Sequence, residues 1–227
     1  MRTFTRLALA LGLVVCLTGQ VRAQGGGRGM GGMMGGPAMY LGNPAVQKEL
    51  KLSDEQIEKA KAFQTSYQEK QRERMSGLQD LSQEERQEKM AAVRKEMTAE
   101  FKKGAAEFLK PEQVKRLDQI VLFNQGANAF GPMGNAEVIE KMKITDDQKA
   151  KIKEINDDAG AQRRELMQGM QDDPEGTRKK MTDLTKTTNE KVMALFTSEQ
   201  KATWKDLTGE PFPVQMQMGG QRRPGGN

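Results

Sequence analysis

The sequence predicts an all-α fold of elongated helical hairpins, arranged as two tandem repeats packed together as a pseudo-dimer. Three observations predict it. A five-residue helix-start phrase occurs four times, as Leu52-Ser53-Asp54-Glu55-Gln56, Leu109-Lys110-Pro111-Glu112-Gln113, Ile144-Thr145-Asp146-Asp147-Gln148 and Phe196-Thr197-Ser198-Glu199-Gln200. The stretches after these phrases carry apolar residues at helical spacing, and none shows the alternation of a half-buried strand. Finally, the two halves of the chain match each other at fixed spacing.

The phrase has a physical reading. In three copies Ser53, Thr145 or Thr197 stands at the N-cap, where its hydroxyl can accept from an unpaired backbone N–H of the first turn. The Gln three residues later, Gln56, Gln148 or Gln200, can reach back to the N-cap amide and close a capping box. Acidic residues in the first turn suit the positive end of the helix dipole. In the second copy Lys110 occupies the cap position, and Pro111 takes the first helical position, which suits a proline; Gln113 keeps the third. The apolar residue before each cap, Leu52, Leu109, Ile144 or Phe196, is placed to fold back over the first turn; Ile57 and Val114 offer it a partner in the first two copies, whereas Lys149 and Lys201 stand there in the others.

In chain order, residues 1–23 have the form of a secretory signal. Arg2 and Arg6 precede an apolar run from Leu7 to Leu17 that is too short for a stable membrane anchor, and Val21-Arg22-Ala23 is a small-residue cleavage site. The single cysteine, Cys16, lies in that run with Val15 before it, against lipidation, so the mature chain is expected to hold neither cysteine nor histidine. Thiol catalysis, histidine triads, disulfides and Cys/His zinc sites are thereby excluded together. The net charge of +5 also dissolves. Removing Arg2, Arg6 and Arg22 from the 36 basic residues leaves 33 against 31 acidic ones, and setting aside Arg28, Arg222 and Arg223 leaves 30. A nearly neutral body gives no argument for nucleic-acid binding.

Residues 24–40 are expected to be a Gly/Met-rich tether, and 213–227 a flexible tail, because such compositions cannot bury a core. Between them lie a first helical repeat, 41–133, and a second, 134–212. Gly42, Asn43, Val46, Lys51, Asp54, Gln56, Lys59 and Lys61 recur 92 positions on as Gly134, Asn135, Val138, Lys143, Asp146, Gln148, Lys151 and Lys153. Leu109 and Gln113 match Phe196 and Gln200 at a spacing of 87. Each repeat reads as a short helix, a long helix, a break, a second long helix and a closing helix. The breaks fall at Asp80-Leu81-Ser82 and Asp172-Asp173-Pro174. With 36% hydrophobic and 5% aromatic residues the apolar stripes are thin, which favours layered hairpins with much exposed surface over a closed bundle.

A signal peptide, long charged helices and paired phrases of Leu-Thr-x-x-Gln type together resemble the Spy/CpxP family, the LTXXQ-motif proteins of the bacterial periplasm. The resemblance covers roughly residues 45–207. It implies curved cradles formed by antiparallel pairs and ATP-independent holding of unfolded or aggregation-prone proteins under envelope stress, with metal sensing in some relatives. Four phrases in place of two suggest a dimer fused into one chain, so the protein is expected to be a monomer by internal duplication or a homodimer. No copy is an unmodified Leu-Thr-x-x-Gln, and the histidines of zinc-binding relatives are missing.

A holding function needs apolar patches ringed by mobile charge. Candidate client contacts are Phe63, Tyr67, Met90, Val93, Met97 and Phe101 in the first repeat, with Ile155, Leu166 and Met181 in the second. The competing reading is that such helical stripes form the core between helices. A second function class is Cu(I) binding by Met30, Met33, Met34 and Met39, with Met216 and Met218, against which stands the cost of ordering glycine linkers. A third is a structural helical protein without clients. No nucleophile, metal set or cofactor motif points to catalysis, and no membrane span is expected once the signal is removed.

Overall fold

In the computed structural model, residues 36–78, 81–131 and 134–214 are described, and every structural statement below concerns them. The secondary structure among these residues is helical throughout. The order is α1 (Pro37–Leu41), α2 (Pro44–Glu49), α3 (Asp54–Ser76), α4 (Gln83–Ala105), α5 (Pro111–Gln125), a short 3-10 helix (Gly126–Phe130), α6 (Ala136–Lys141), α7 (Asp146–Gln168), α8 (Pro174–Ala194) and α9 (Ser198–Thr208). Helices α3 and α4 pack as one hairpin and α7 and α8 as another, while the two closing helices, α5 and α9, pack on each other.

The four phrases start helices where local chemistry demands. Ser53, Thr145 and Thr197 each accept from the backbone N–H three residues on, at 3.2 Å in all three cases. Each Gln returns the bond to the cap amide, Gln56 at 3.0 Å, Gln148 at 3.1 Å and Gln200 at 3.0 Å. Lys110 has no acceptor oxygen, so at α5 only the Gln half of the box forms, with Lys110 N donating to Gln113 Oε1 at 2.9 Å. A fourth full box, between Ser82 and Glu85, opens α4; it is a Ser-x-x-Glu that the four-phrase pattern passes over.

The residues before the caps turn inward. Leu109 belongs to a first core cluster with Leu41, Val46, Tyr67, Phe101, Leu117 and Ile120, and Leu52 packs against it. Ile144 and Phe196 belong to a second cluster with Leu122, Phe130, Val138, Met142, Ile152 and Val192. Helix α5 thus feeds both cores, Leu117, Ile120 and Val121 into the first and Leu122 into the second.

Helices α2 and α6 close alike. Lys51 N donates to Lys48 O and Leu52 N to Gln47 O; Lys143 N donates to Glu140 O and Ile144 N to Ile139 O. These are Schellman closures, and they hold Lys51 at φ 50° and Lys143 at φ 49°, where a β-carbon is crowded. Lys51→Gly and Lys143→Gly are each expected to stabilise the protein by about 0.5–1 kcal/mol, the relief of a left-handed side chain partly offset by a freer unfolded chain. Chemical denaturation of the two variants beside the wild type checks this, and a destabilising glycine at both sites would contradict it.

Two expected boundaries change. The tether was expected to run through Tyr40, yet Pro37–Leu41 is helical and buries Ala38, Tyr40 and Leu41 against the first core. A proline at the first helical position and three apolar side chains supply what the glycine-rich stretch lacks. The tail was expected to be free from residue 213, yet Phe212 and Val214 pack on the first core. Asn124 clamps this segment, its Nδ2 donating to Phe212 O at 2.8 Å and its Oδ1 accepting from Val214 N at 2.8 Å. Arg116 adds a bond to Glu210 O at 3.1 Å and lies 6.0 Å over the Phe212 ring. Among the described residues no helix is long and apolar enough to cross a membrane.

Candidate client-contact surface

The nine predicted contact residues divide by depth. Tyr67 and Phe101 are core: Phe101 is 2% exposed and Tyr67 is 5% exposed. Their rings meet edge to face at 5.7 Å, and Phe63 lies 5.7 Å from each and from Phe108. Tyr67 Oη donates to Met97 O at 3.1 Å, and burial raises its phenol pKa above the usual value. These two were expected to face a client; the structure corrects that, because three aromatic side chains on facing helices, with Phe108 from the turn after α4, bury more area against one another than an open face would allow. Phe63 and Met97 lean on the same core half-buried, and Ile155 does so in the second repeat.

Met90, Val93, Leu166 and Met181 are different. They are half-buried and belong to neither core cluster. Met90 lies two turns into α4, Met181 two turns into α8, and Leu166 in the last turn of α7, so these three sit toward the linked ends of the hairpins, while Val93 lies at the middle of α4. Met75 and Met170 are half-buried in the same regions, and Met167 is 49% exposed. Charge of both signs surrounds them in sequence, with Arg72, Glu73, Glu84, Glu88 and Lys89 exposed in the first hairpin and Arg164, Glu165, Asp172, Lys179 and Lys180 in the second. One ion cluster is fixed: Glu100 takes Lys70 at 2.6 Å and Arg74 at 2.7 Å, and the Lys70 hydrogen bond foremost holds its carboxyl below the usual range.

An apolar recess of about 590 Å³ lies away from these ends, between α5, the end of α6 and α9, lined by Leu109, Val114 and Leu207, with Lys115, Asp118, Lys141 and Asp206 supplying charge. Burial pushes the Asp118 carboxyl up, against the pull of Lys102 and with Glu137 adding to the rise. Nothing in the repeat pattern marks Asp118, since its partners come from α4 and α6.

The four phrase glutamines do more than cap. Gln56 Nε2 donates to Gln113 Oε1 at 2.8 Å and to Phe108 O at 2.8 Å, while Gln113 Nε2 reaches Leu50 O at 2.9 Å and Gln56 Oε1 at 3.3 Å. The second repeat repeats this network. Gln148 Nε2 donates to Gln200 Oε1 at 2.8 Å and Leu195 O at 2.8 Å, and Gln200 Nε2 reaches Met142 O at 3.1 Å and Gln148 Oε1 at 2.9 Å. Phe108 and Leu195 are 87 apart, and Leu50 and Met142 are 92 apart, the two spacings of the sequence match. A signal for the pairing existed. A capping glutamine spends its oxygen on the cap amide and keeps two N–H donors in hand, and two such residues at facing helix starts can satisfy each other.

The methionines weighed as copper ligands fall mostly elsewhere. Met30, Met33, Met34, Met216 and Met218 lie outside the described residues, and Met39 is half-buried in α1. Residues 1–23, read as a signal, also lie outside them. Comparison with family models, with curated proteins and with solved structures returned no match in any of the three.

Proposed function

We propose that the mature chain is a periplasmic, ATP-independent chaperone-like protein that holds unfolded or aggregation-prone proteins, a duplicated member of the Spy/CpxP type in which two repeats form a pseudo-dimer within one polypeptide. The observation that carries this reading is the set of half-buried methionine and leucine side chains toward the hairpin ends, joined by Val93 at mid-helix, outside both cores and amid exposed charge of both signs. Methionine's unbranched thioether adapts to varied apolar partners, and interspersed charge keeps a complex soluble. Two further features support the family reading: the glutamine network that joins each pair of phrases, and the packing of α5 on α9, the closing helices of the two repeats. Equivalent helices meeting each other is the contact an isologous dimer uses.

The mature protein, at equimolar ratio and without nucleotide, is expected to suppress light scattering by a chemically unfolding model client. Unchanged scattering would remove the holding function. Multi-angle light scattering is expected to give the mass of a single chain, and a stable two-chain mass would contradict the fused pseudo-dimer. Cleavage after Ala23 predicts a mature protein beginning at Gln24, which mass spectrometry of the periplasmic fraction reads directly.

A further inference from the structure

The two hairpins differ at the middle of their inner faces. The spacing of 92 on the first long helix sets Ala159 where the first repeat has Tyr67, and the spacing of 87 on its partner sets Thr188 where the first repeat has Phe101. Two rings in contact are replaced by a methyl group and a hydroxyl, both on buried residues. The space they leave is a cleft of about 200 Å³ between α7, α8 and the 3-10 helix, lined on its polar side by Asn128, Asn156, Arg163, Thr185, Thr188 and Asn189.

The hydrogen bonds already made around the cleft leave it rich in donors. Thr185 and Thr188 spend their hydroxyl protons on Met181 O at 2.9 Å and Leu184 O at 2.7 Å. Asn189 Oδ1 accepts from Ala127 N at 2.7 Å, leaving its N–H groups as what that side chain has to give. Asn156 Nδ2 is buried and has no hydrogen-bond partner among the described residues. Such a donor is costly to bury unless something in the cleft accepts from it. Asn156, Ala159, Gly160 and Arg163 follow one another at helical spacing along one face of α7, so the guanidinium carries a fixed positive charge to the same opening. Arg163 makes no ion pair among the described residues, and no carboxylate lines the cleft.

We propose that this cleft is a binding site for a carboxylate group, taken by the Arg163 guanidinium and the amide N–H groups of Asn156 and Asn189. Surplus donors around one permanent cation complement an acceptor-only anion, and guanidinium and carboxylate match as a planar fork. The volume is below that of drug-sized pockets, so the site accommodates a small acid or the terminal group of something larger. The same chemistry has two sources, a free small carboxylic acid and the C-terminal carboxylate of a polypeptide.

The experiment follows the side-chain amide resonances of Asn156 and Asn189 in the mature protein during titration with acetate, with a short Gly/Ser peptide bearing a free C-terminus, and with the same peptide amidated. Sodium chloride at matched ionic strength is the reference. Saturable shifts are expected with the two carboxylates and not with the amidated peptide or chloride. Arg163→Gln, at an exposed position, is expected to leave thermal unfolding unchanged and weaken binding about tenfold or more, the worth of a charge-assisted bond. Asn156→Asp, which replaces the buried donor by an acceptor, is expected to abolish it. Tighter binding of the peptide than of acetate assigns the site to polypeptide termini, and equal affinity assigns it to free acids. Absence of saturation at millimolar concentration, the same shifts with chloride, or unweakened binding by Arg163→Gln would each overturn the proposal. The site is independent of client holding, which is read by light scattering.

Discussion

Gln113→Leu is expected to lower stability by about 2–3 kcal/mol, although it replaces a polar residue by an apolar one of similar volume. Gln113 is 7% exposed, and three neighbours depend on it: the Leu50 carbonyl at the closure of α2, the Lys110 amide at the start of α5, and Gln56 across the hairpin base. Removing the amide strands the Leu50 carbonyl where water is excluded, a penalty of about 1–3 kcal/mol for one buried group, and weakens a helix start that has no hydroxyl cap to fall back on. The hydrophobic gain of the leucine offsets only part of this. Gln200→Leu, 8% exposed and bonded to Met142 O, is expected to cost a similar amount. Denaturant midpoints measure both, and a loss below about 0.5 kcal/mol at both sites would show that the network is incidental.

Because Gln56 and Gln113 share donors and acceptors, their effects are expected not to add. A double-mutant cycle of Gln56→Ala and Gln113→Ala should give a coupling of about 1 kcal/mol, whereas Gln56→Ala with Gln200→Ala, in different repeats, should give about zero. The contrast separates a paired function of the motif from four independent caps.

What the sequence made legible tracks how local each interaction is. Ser53 meets Gln56 within three residues, so the cap, the box and the helix start can be read from five letters. The hairpin breaks are equally local, with Ser82 accepting from Glu85 N and Asp173 from Gly176 N. The recurrence of the same helix starts was legible because the two halves share identities at fixed spacings. Depth was less so. Tyr67 and Val93 both lie on apolar stripes, yet only the first meets Phe63 and Phe101, and that meeting depends on the register between α3 and α4. The return of Phe212 and Val214 to Asn124 spans about ninety residues, and no local pattern in a short, proline-containing segment announces it. The α7–α8 cleft is no more local, because Ala159 and Thr188 become neighbours only through the register between the two helices.

Phe101→Ala and the pair Met90→Ser and Met181→Ser are expected to separate fold from function, in opposite directions. Phe101 is fully packed between Tyr67 and Phe63, so its removal leaves a cavity whose walls, on two long helices, collapse only in part; the expected cost is about 3–5 kcal/mol. Residual holding activity measured well below the new unfolding midpoint should nonetheless persist, since the ring presents almost no surface to a client. Met90 and Met181 are half-buried and outside both cores, so serine at each is expected to cost no more than about 1 kcal/mol. If the hairpin ends are where clients bind, that pair loses suppression of client scattering while its unfolding midpoint scarcely moves. The decisive comparison is activity at equal folded fraction. Should the Phe101 variant lose holding in proportion to its stability and the methionine pair retain it in full, clients would have to be held elsewhere, and the recess lined by Leu109, Val114 and Leu207 would be the next surface to test.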